Sequence, residues 1–530
     1  MERHLADTSS DLDSAGASST STSPRHSAIN TRNSGTVVEG VPQSSSQPEC
    51  LPLEAEQTDS EGKNDMPALL ELISTARKWT MTKSGAKSKE AQLYRPISAF
   101  VDYVAYWVDA ELSTALASDT GLGRSRNEFR LIRPTTKTDY KPDDPDNGTK
   151  IDIGLCSTAV GNPTDAVGRA MFSRLMAVVE VKLSSGGSSV NDSFAQLYEY
   201  TRQVYAEQFD LRFAWGVTVC ATEMRVCHFG PDLALSSCAM DEATPKGRQD
   251  FITLPVNWSL CEAAQLGRDP TISRVPGMNW WQIECPDDPN NGASEDGGCG
   301  SSYKPVKTYY FSRVICGADH LFGRYTRCLA ATDIEPSEEA EAAGELKPRF
   351  VVKDAWPVAD QDTTKHSCDE VLLLKRIKKA LSVSSSEDLV YSQIAVGGRV
   401  NMTVDNALVE DNTDNLYKGV DIPSNIKVPR RAHRRIVTSP IGEPLHEVES
   451  VRELILVVGD IMHCHSAIST ECSIFYRDIS DNNILIVRRE GEPTRGLLID
   501  FDCALDLSKE RTGMRGEMTG TFPSMSIKIA

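Results

Sequence analysis

The chain has 530 residues, of which 40% are hydrophobic and 25% are charged, and its formal net charge is −19. This length predicts roughly three or four domains, and the acidic balance argues against a general nucleic-acid coat or a binder of anionic membranes. No apolar run approaches the roughly 18 residues that would span a bilayer, and the first ten residues lack the apolar core of a secretory signal. The 14 cysteines include no Cys-x-x-Cys pair, which fits a reducing compartment. We therefore expect an intracellular protein, cytoplasmic or nuclear, with neither a membrane nor a nucleic acid among its partners.

Composition divides the chain into four segments. Residues 1–65 form a Ser/Thr-rich tail with almost no aromatic side chains, and we expect the tail to be disordered. Residues 66–285 carry helical and strand-like patterns that predict an α+β accessory domain. Residues 286–302 have the composition of a linker. Residues 303–530 combine short strands and helices, which predicts a second α+β domain.

Periodicity predicts the elements of the accessory domain in chain order. Helices are expected at 67–79, 96–116 and 192–208, and strands at 151–155, 175–183, 213–221 and 224–229. Thr222 and Glu223 are the expected turn between the last two strands. In the second domain, the acidic segment 333–345 and the polar stretch 382–415 are expected to interrupt the regular elements.

Three polar side chains flank two apolar runs near the end of the chain. Asp478 is followed five positions later by Asn483 and an apolar run, and Asp500 follows a second apolar run at 497–499. Two strands joined by a polar turn would form a hairpin that brings these side chains together. Phosphoryl transfer needs bound metal ions and a carboxylate that orients the attacking hydroxyl. The pattern therefore predicts a kinase-like site that uses ATP and Mg²⁺; two surface turns on an unrelated α/β fold are the alternative.

Several motifs of the chain resemble the fungal-type protein kinase family. The motifs are Tyr476–Ser480 with Asn483, Leu498–Asp502, Thr519–Met525, Val351–Trp356, Arg431–Ile436, Gly442–Leu445 and Leu266–Thr271. The resemblance covers about residues 150–530 and implies a two-lobed protein-kinase-like domain. It also implies transfer of the ATP γ-phosphoryl group to Ser or Thr hydroxyls of a protein substrate. The sequence leaves that substrate and the oligomeric state open.

The resemblance implies a role for each residue of the C-terminal motifs. Asp478 would be the catalytic base, and Asn483 and Asp500 would bind Mg²⁺. Arg477 would hold the activation segment or, in the simpler interpretation, would brace the loop in which it lies.

The resemblance also implies roles for residues nearer the middle of the chain. Lys353 would contact the α- and β-phosphates from a strand. Glu370, in a helix expected at 368–380, would be the partner of Lys353, although Asp369 is adjacent. Gly323 would approach the phosphates in a loop that has one glycine where most kinases have three.

Three departures from the usual kinase pattern qualify the expected activity. Ser480 stands where Ser/Thr kinases usually have a lysine that contacts the γ-phosphate, which should weaken transition-state stabilisation. Asp502 replaces the glycine of Asp-Phe-Gly. Ile527-Lys-Ile stands in place of Pro-Glu, so we expect an incomplete large lobe. The alternative function is therefore a truncated pseudokinase that binds nucleotide or a partner without turnover.

A second set of charged residues lies in the accessory domain. Asp152 is on one predicted strand, and Glu180 and Lys182 are on the next, where alternation points both to the same face. This pattern resembles the restriction-endonuclease-like nuclease core, in which two carboxylates bind magnesium and the lysine positions water; Gln196 on the following helix also suits it. Few basic residues lie nearby to bind a nucleic-acid backbone. The alternative is an accessory domain in which Glu180 and Lys182 pair at a strand surface.

Overall fold

The structure is a computed structural model, and its described residues combine helices with several sheets, as the predicted α+β class requires. The described residues are 91–117, 132–135, 151–157, 172–287, 305–318, 320–359, 369–382, 391–404, 407–420, 422, 426 and 428–508. All of them belong to one unit, 63–530. The predicted tail at 1–65, the predicted helix at 67–79 and most of the predicted linker at 286–302 lie outside the described residues.

The first sheet is mixed. Its strands are β1 (Ile132–Thr135), β2 (Ile153–Ser157), β3 (Leu175–Lys182), β4 (Ala214–Cys220), β5 (Glu223–Phe229), β6 (Ala234–Ser236) and β7 (Met240–Asp241). Their order is β1-β2-β3-β4-β5-β6, with β7 also beside β5. Strands β3 and β4 are parallel, whereas β2 pairs with β3 and β4 pairs with β5 in antiparallel fashion. Because parallel neighbours need a crossover connection, a helix joins β3 to β4.

Helices α1 (Ala91–Ala117), α2 (Gly187–Glu207) and α3 (Pro245–Leu260) cover this sheet on two faces. The odd-numbered strand residues, such as Val179 and Val217, pack with α1 and α3. Val178, the neighbour of Val179 on β3, points to the opposite face and packs with Leu197 of α2. Helix α2 is therefore the cover over the even-numbered positions of β3 and β4.

Several predicted boundaries in this region were wrong, including the start of α2, which is Gly187 rather than the predicted residue 192. Helix α1 begins at Ala91 rather than at the predicted Pro96, because the buried Leu93 extends the apolar stripe upstream and its packing outweighs the backbone bond that a proline removes. The turn between β4 and β5 is also one residue earlier than predicted. Cys220 pairs with Glu223, so Ala221 and Thr222 form the loop, and Ala221 has a positive φ of 51°.

The second sheet is antiparallel. Its strands are β8 (Ile272–Arg274), β9 (Trp281–Pro286), β10 (Val306–Cys316), β11 (Arg327–Thr332), β12 (Phe350–Ala355), β13 (Gln393–Arg399) and β16 (Arg434–Ser439). Their order is β13-β16-β12-β11-β10-β9-β8. Ile283, Phe311, Val352 and Val437 form its buried centre. The domain boundary at residue 285 stays a prediction. Strand β9 ends close to this residue and pairs with β10, which follows the predicted boundary in the sequence.

The two segments expected to interrupt this region contain regular elements. These are α4 (Glu338–Ala342) in the acidic segment, and β13, β14 (Asn401–Val404), β15 (Ala407–Glu410) and α6 (Thr413–Leu416) in the polar stretch. The expectation for 382–415 was therefore wrong. Half of the side chains of an edge strand or a surface hairpin face water, so a polar composition is compatible with strands.

The last described part combines two helices with short sheets. Its elements are α5 (Glu370–Leu381), β17 (Glu443–Pro444), α7 (Val451–Cys472), β18 (Ile474–Phe475), β19 (Ile484–Val487), β20 (Arg495–Leu498) and β21 (Leu505–Asp506). Asp369 caps α5 by accepting a hydrogen bond from the Val371 amide, which is why the helix begins two residues later than the predicted 368. Ile484 pairs with Leu498, so the predicted hairpin is present. No helix among the described residues is long and apolar enough to cross a membrane.

A buried network of charged side chains joins the two sheets. Arg435 is 0% exposed; its Nε lies 2.8 Å from Asp354 Oδ1, and its Nη2 donates to Asp269, which follows α3. His433 bridges two carboxylates, with Nε2 2.7 Å from Asp354 and Nδ1 2.8 Å from Asp411. Each buried charge thus has an opposite partner, which is the condition under which such groups are tolerated in an interior.

The stability of the chain is expected to depend on pH through His433. Burial alone would lower the pKa of His433, but the carboxylates of Asp354 and Asp411 outweigh burial and raise the pKa from 6.5 to about 9. A histidine whose pKa is raised on folding stabilises the fold fully below the pKa of the unfolded chain and loses that contribution as the pH rises through the folded value. The free energy of unfolding should therefore fall between pH 6.5 and about 9, by on the order of 3 kcal/mol from this group.

Urea unfolding of the wild type and of His433→Gln across this pH range measures the effect. The difference in stability between the two chains should shrink as the pH rises, because only the wild type has the group that loses a proton. The exposed His446, replaced by glutamine, is the matched control. A constant difference from pH 6 to pH 9 would contradict the assigned protonation of His433.

Candidate functional site

Lys353 lies at the centre of a cluster of carboxylates. It is on β12, in the middle of the second sheet, and its Nζ is 2.8 Å from Glu370 Oε2, 2.8 Å from Asp500 Oδ1 and 2.9 Å from Asp502 Oδ2. Glu370 is the first residue of α5, which packs beside β13 of the same sheet. The structure therefore brings together Lys353, Glu370 and Asp500, three of the residues singled out in the sequence.

The segment after β20 carries Asp500 into this cluster. Asp500 has a φ of 59°, a left-handed conformation that is uncommon outside glycine and that concentrates at functional sites. The next residue, Phe501, is fully buried, and its amide donates to Glu370 Oε1 over 3.0 Å. The Asp502 amide donates to Asp500 Oδ1 over 3.2 Å. These contacts fix the carboxylate of Asp500 toward Lys353 while leaving that side chain 37% exposed.

The cluster perturbs the protonation of its members. Burial alone would lower the pKa of Lys353, but the three surrounding carboxylates outweigh burial and raise it well above its ordinary value. Burial, and then the charge of Asp502, raise the pKa of Glu370 to about 8. Burial would raise the pKa of Asp502, yet Lys353 and Arg324 hold it below its ordinary value. Lys353 is therefore a fixed cation.

The predicted base and metal ligand lie together in the loop before β19. The side-chain amide of Asn483 donates to the Asp478 main-chain oxygen over 3.0 Å and to Asp478 Oδ2 over 3.1 Å. The main-chain oxygen of Asn483 accepts from the Ile499 amide over 3.1 Å, so the loop is tied to the residue that precedes Asp500. The hairpin of β19 and β20 accounts for this proximity, because it places the start of one strand beside the end of the other.

Arg477 and Tyr476 attach the same loop to the segment after Asp500. Arg477 has a φ of 71°, and its Nε donates to the Cys503 main-chain oxygen over 2.6 Å. Tyr476 is buried, and its hydroxyl donates to the main-chain oxygen of Ile499. Arg477 thus contacts the backbone shortly after Asp500, and its role in holding an activation segment stays a prediction.

The loop that contains Gly323 lies against the first sheet's helix α2. Phe322 and Tyr198 of α2 have ring centroids 5.7 Å apart. The Gly323 amide donates to the Pro231 main-chain oxygen over 2.9 Å, so this amide has a protein partner. Gly323 has a φ of 119°, a conformation that favours glycine although a Cβ there would meet no atom within 4 Å. The assignment of Gly323 to phosphate binding stays a prediction.

Sequence reasoning missed two members of the site. Asp502 was interpreted only as the loss of a flexible glycine, yet its carboxylate contacts Lys353. Arg324 was not singled out, and its Nη1 is 2.9 Å from Asp502 Oδ2. The available signal was an acidic residue at a position that is usually glycine, together with a basic residue next to Gly323.

The donor atoms of the cluster suit a hard cation. One carboxylate oxygen from each of Glu370, Asp500 and Asp502 lies within 4.8 Å of the others. Mg²⁺ prefers carboxylate and amide oxygens, and Asn483 supplies an amide oxygen on the adjacent loop. Asp500 and Asn483 thus offer the oxygen donors that the predicted ion prefers, although Lys353 already contacts the three carboxylates; the binding of Mg²⁺ by Asn483 and Asp500 stays a prediction.

The second predicted site is also assembled, within the first sheet. Lys182 Nζ lies 2.5 Å from Glu180 Oε1 and 2.9 Å from Gln196 Oε1 of α2. Asp152 precedes β2, and its Oδ2 accepts from the Val181 amide over 2.8 Å. The four residues that the sequence grouped thus lie on neighbouring elements.

In a protein-kinase site, a lysine on a strand pairs with a glutamate of the following helix, and a metal-binding aspartate lies nearby. Lys353, Glu370 and Asp500, which follows the hairpin, have this arrangement. Comparison with known families agrees with that class: a family model described as fungal protein kinase matches residues 150–530. Because the match covers more than half of the chain, the chain belongs to the fungal protein kinase family. A search of curated proteins found no match.

Proposed function

We propose that this chain is a protein kinase that transfers the γ-phosphoryl group of ATP to a serine or threonine hydroxyl of a protein substrate. The observation that carries the proposal is the contact of Lys353 with both Glu370 and Asp500, each at 2.8 Å. Active protein kinases require this lysine–glutamate pair and the metal-binding aspartate to be in place together. The choice of Ser and Thr as acceptors rests on the family resemblance.

The chain's own residues would act on ATP and on the acceptor as follows. Lys353 would bind the α- and β-phosphates with its ammonium group. Asp478 would orient the acceptor hydroxyl and accept its proton while the hydroxyl oxygen attacks the γ-phosphorus. The bond from the γ-phosphorus to the bridging oxygen of the β-phosphate breaks, and ADP leaves. Asn483 would keep Asp478 in position through the hydrogen bond between their side chains.

Asn483 and Asp500 would hold Mg²⁺, which when bound neutralises charge on the phosphates.

Ser480 is buried, and its Oγ has no hydrogen-bond partner among the described residues. Because residue 480 is a serine, this position cannot supply the ammonium group that contacts the γ-phosphate in most Ser/Thr kinases. We expect slower transfer than in kinases that have it.

Radiolabelled ATP tests the proposal directly. Incorporation of label into casein or into the chain itself should require Mg²⁺, and Asp500→Asn should lower Mg²⁺-dependent ATP affinity by at least about tenfold, the scale found even for residues that only support a metal ligand. Asp414→Asn, at a 60% exposed aspartate, is the matched control. Equal incorporation by the Asp500→Asn chain and the wild type would refute the metal-binding role of Asp500.

One observation favours a second candidate function, nucleotide or partner binding without turnover. An ammonium group has three N–H donors, and Lys353 contacts three carboxylates, including Asp502 in the place of a glycine. Phosphates would have to displace at least one of these partners. A Mg²⁺-dependent rise in melting temperature with ATP, without any transfer of label, would support this second function over the first.

A further inference from the structure

Two cysteines face each other on neighbouring strands of the second sheet. Cys316 is the last residue of β10, and Cys328 is the second residue of β11. The register of these antiparallel strands shifts at Ile315, and the shift brings Cys316 directly opposite Cys328. Both residues carry thiols rather than a disulfide. The fold thus brings together two thiols that no Cys-x-x-Cys motif connects in the sequence.

The register puts this pair within reach of a disulfide. Directly opposed residues of antiparallel strands have Cα atoms about 4.5 or 5.5 Å apart, and both separations fall within the roughly 4.4–6.8 Å that a disulfide spans. The side chains already meet, because the Cys328 thiol hydrogen-bonds to Cys316. This contact, together with burial, holds the pKa of Cys328 well above its ordinary value. A bond between the two sulfurs therefore requires little movement of either strand.

The pair lies on the face of the sheet that carries Lys353. Leu329 and Val352 belong to the buried centre of the second sheet, so their neighbours Cys328 and Lys353 point to the opposite face. Cys328 is in register with Lys353 of β12. Cys316, Cys328 and Lys353 therefore form one row across β10, β11 and β12.

The segment between the two cysteines contacts the cluster around Lys353. It contains Arg324, whose Nη1 is 2.9 Å from Asp502 Oδ2, and Asp502 in turn contacts Lys353. A bond between Cys316 and Cys328 would close this segment into a ring and reduce its conformational freedom. The ring would favour the arrangement in which Arg324 holds Asp502 against Lys353.

We propose that Cys316 and Cys328 form a reversible disulfide by exchange with a low-molecular-weight disulfide such as glutathione disulfide. Cys316 is exposed and reacts first: its thiolate attacks one sulfur of glutathione disulfide, and one glutathione thiolate leaves. The Cys328 thiolate then attacks the Cys316 sulfur and displaces the second glutathione. The two protein thiols lose two protons and two electrons, which convert one glutathione disulfide into two glutathione thiols.

The disulfide would lower the affinity for ATP, a consequence that rests on the proposed kinase function. Phosphates would have to displace at least one carboxylate from Lys353, and the ring favours retention of Asp502 there. We expect the affinity of the oxidised chain for ATP to be at least about fivefold lower, the lower end of ordinary coupling between two sites. By linkage, bound ATP should oppose formation of the disulfide by the same factor.

Peptide mapping of the full wild-type chain after incubation with glutathione disulfide tests the disulfide itself. Trypsin separates the two cysteines into the peptides 314–324 and 328–349. We expect one product in which these peptides are cross-linked, and dithiothreitol should split it. Cys316→Ser should abolish the product, whereas Cys238→Ser, at another exposed cysteine, should leave its yield unchanged.

Two results would overturn the proposed disulfide. The first is a wild-type chain that yields no cross-linked product or only a mixed disulfide with glutathione. The second is a product that links Cys316 or Cys328 to a different cysteine, such as Cys503. Neither result depends on whether a variant folds or on ATP binding.

Titration of ATP into the oxidised and the reduced wild-type chain tests the consequence separately. Equal ATP affinity of the two forms would overturn the regulatory role of the disulfide. A reduced chain that binds no ATP would count against the kinase proposal and against the ATP effect that rests on it, whereas the peptide map would still decide whether the disulfide forms.

Discussion

Replacing Asp478 by asparagine is expected to lower phosphoryl transfer by about 10²- to 10⁴-fold, the usual contribution of a general base. Asparagine has nearly the same shape but cannot take the proton of the acceptor hydroxyl. Asp478 touches Asn483 in the loop before β19 rather than Lys353, so ATP affinity should remain within about twofold of the wild type. The effect should therefore be on kcat and not on nucleotide binding, which single-turnover transfer and equilibrium ATP titration measure separately.

The matched control for this prediction is Asp481→Asn. Asp481 is an exposed carboxylate in the same loop, three positions along the chain, and it should tolerate the change. A loss of ATP affinity as large as the loss of kcat would show that Asp478 acts through nucleotide binding. Undiminished transfer by Asp478→Asn would exclude it as the base.

The largest loss of stability is expected from Arg435→Met. Arg435 is 0% exposed and lies between Asp354 and Asp269, so its removal leaves Asp269 buried without its cation and leaves Asp354 with His433 alone. Breaking a buried pair from one side costs about 3–5 kcal/mol, because the remaining charge is buried and unpaired. The midpoint of urea unfolding of the full chain should fall accordingly, and the first and second sheets should lose protection from hydrogen exchange together.

Two further variants separate this effect from a general loss of arginine. Arg349→Met removes a 57% exposed guanidinium that pairs with Asp333, and it should cost less than about 1 kcal/mol. Adding Asp269→Asn to Arg435→Met should restore part of the lost stability, since the buried carboxylate that lost its cation is then removed. An Arg435→Met chain as stable as Arg349→Met would show that the network does not hold the sheets together.

The kinase-like site was largely predictable because its chemistry is encoded over short distances. Asp478, Asn483 and Asp500 lie on either side of two apolar runs, and a hairpin between those runs brings them together whatever the rest of the fold does. Lys353 could be placed because the Val351–Trp356 motif resembles that of the fungal-type protein kinase family, and the structure has this lysine within β12. Glu370 rather than Asp369 proved to be its contact, because Asp369 is used as the cap of α5.

Contacts between distant segments could not be predicted from the same pattern. Arg434 and Arg435 are neighbours of the same type, but strand alternation turns them to opposite faces, so one is 12% exposed beside Asp369 and the other is fully buried between Asp354 and Asp269. Which face becomes the interior depends on the first sheet docking there. The sequence alone does not specify that event.

The sequence by itself indicated the family of this protein and the residues of its kinase-like motif, and it offered the pairing of Glu180 with Lys182 as one of two alternatives. The tertiary structure alone decided that Asp502 and Arg324 join the cluster around Lys353, and that Glu180 is buried rather than at a strand surface. The physical reason is how far apart along the chain the interacting residues lie. Strand alternation, helix caps and turns follow from neighbouring residues, whereas burial and ion pairing follow from where segments far apart in the chain meet.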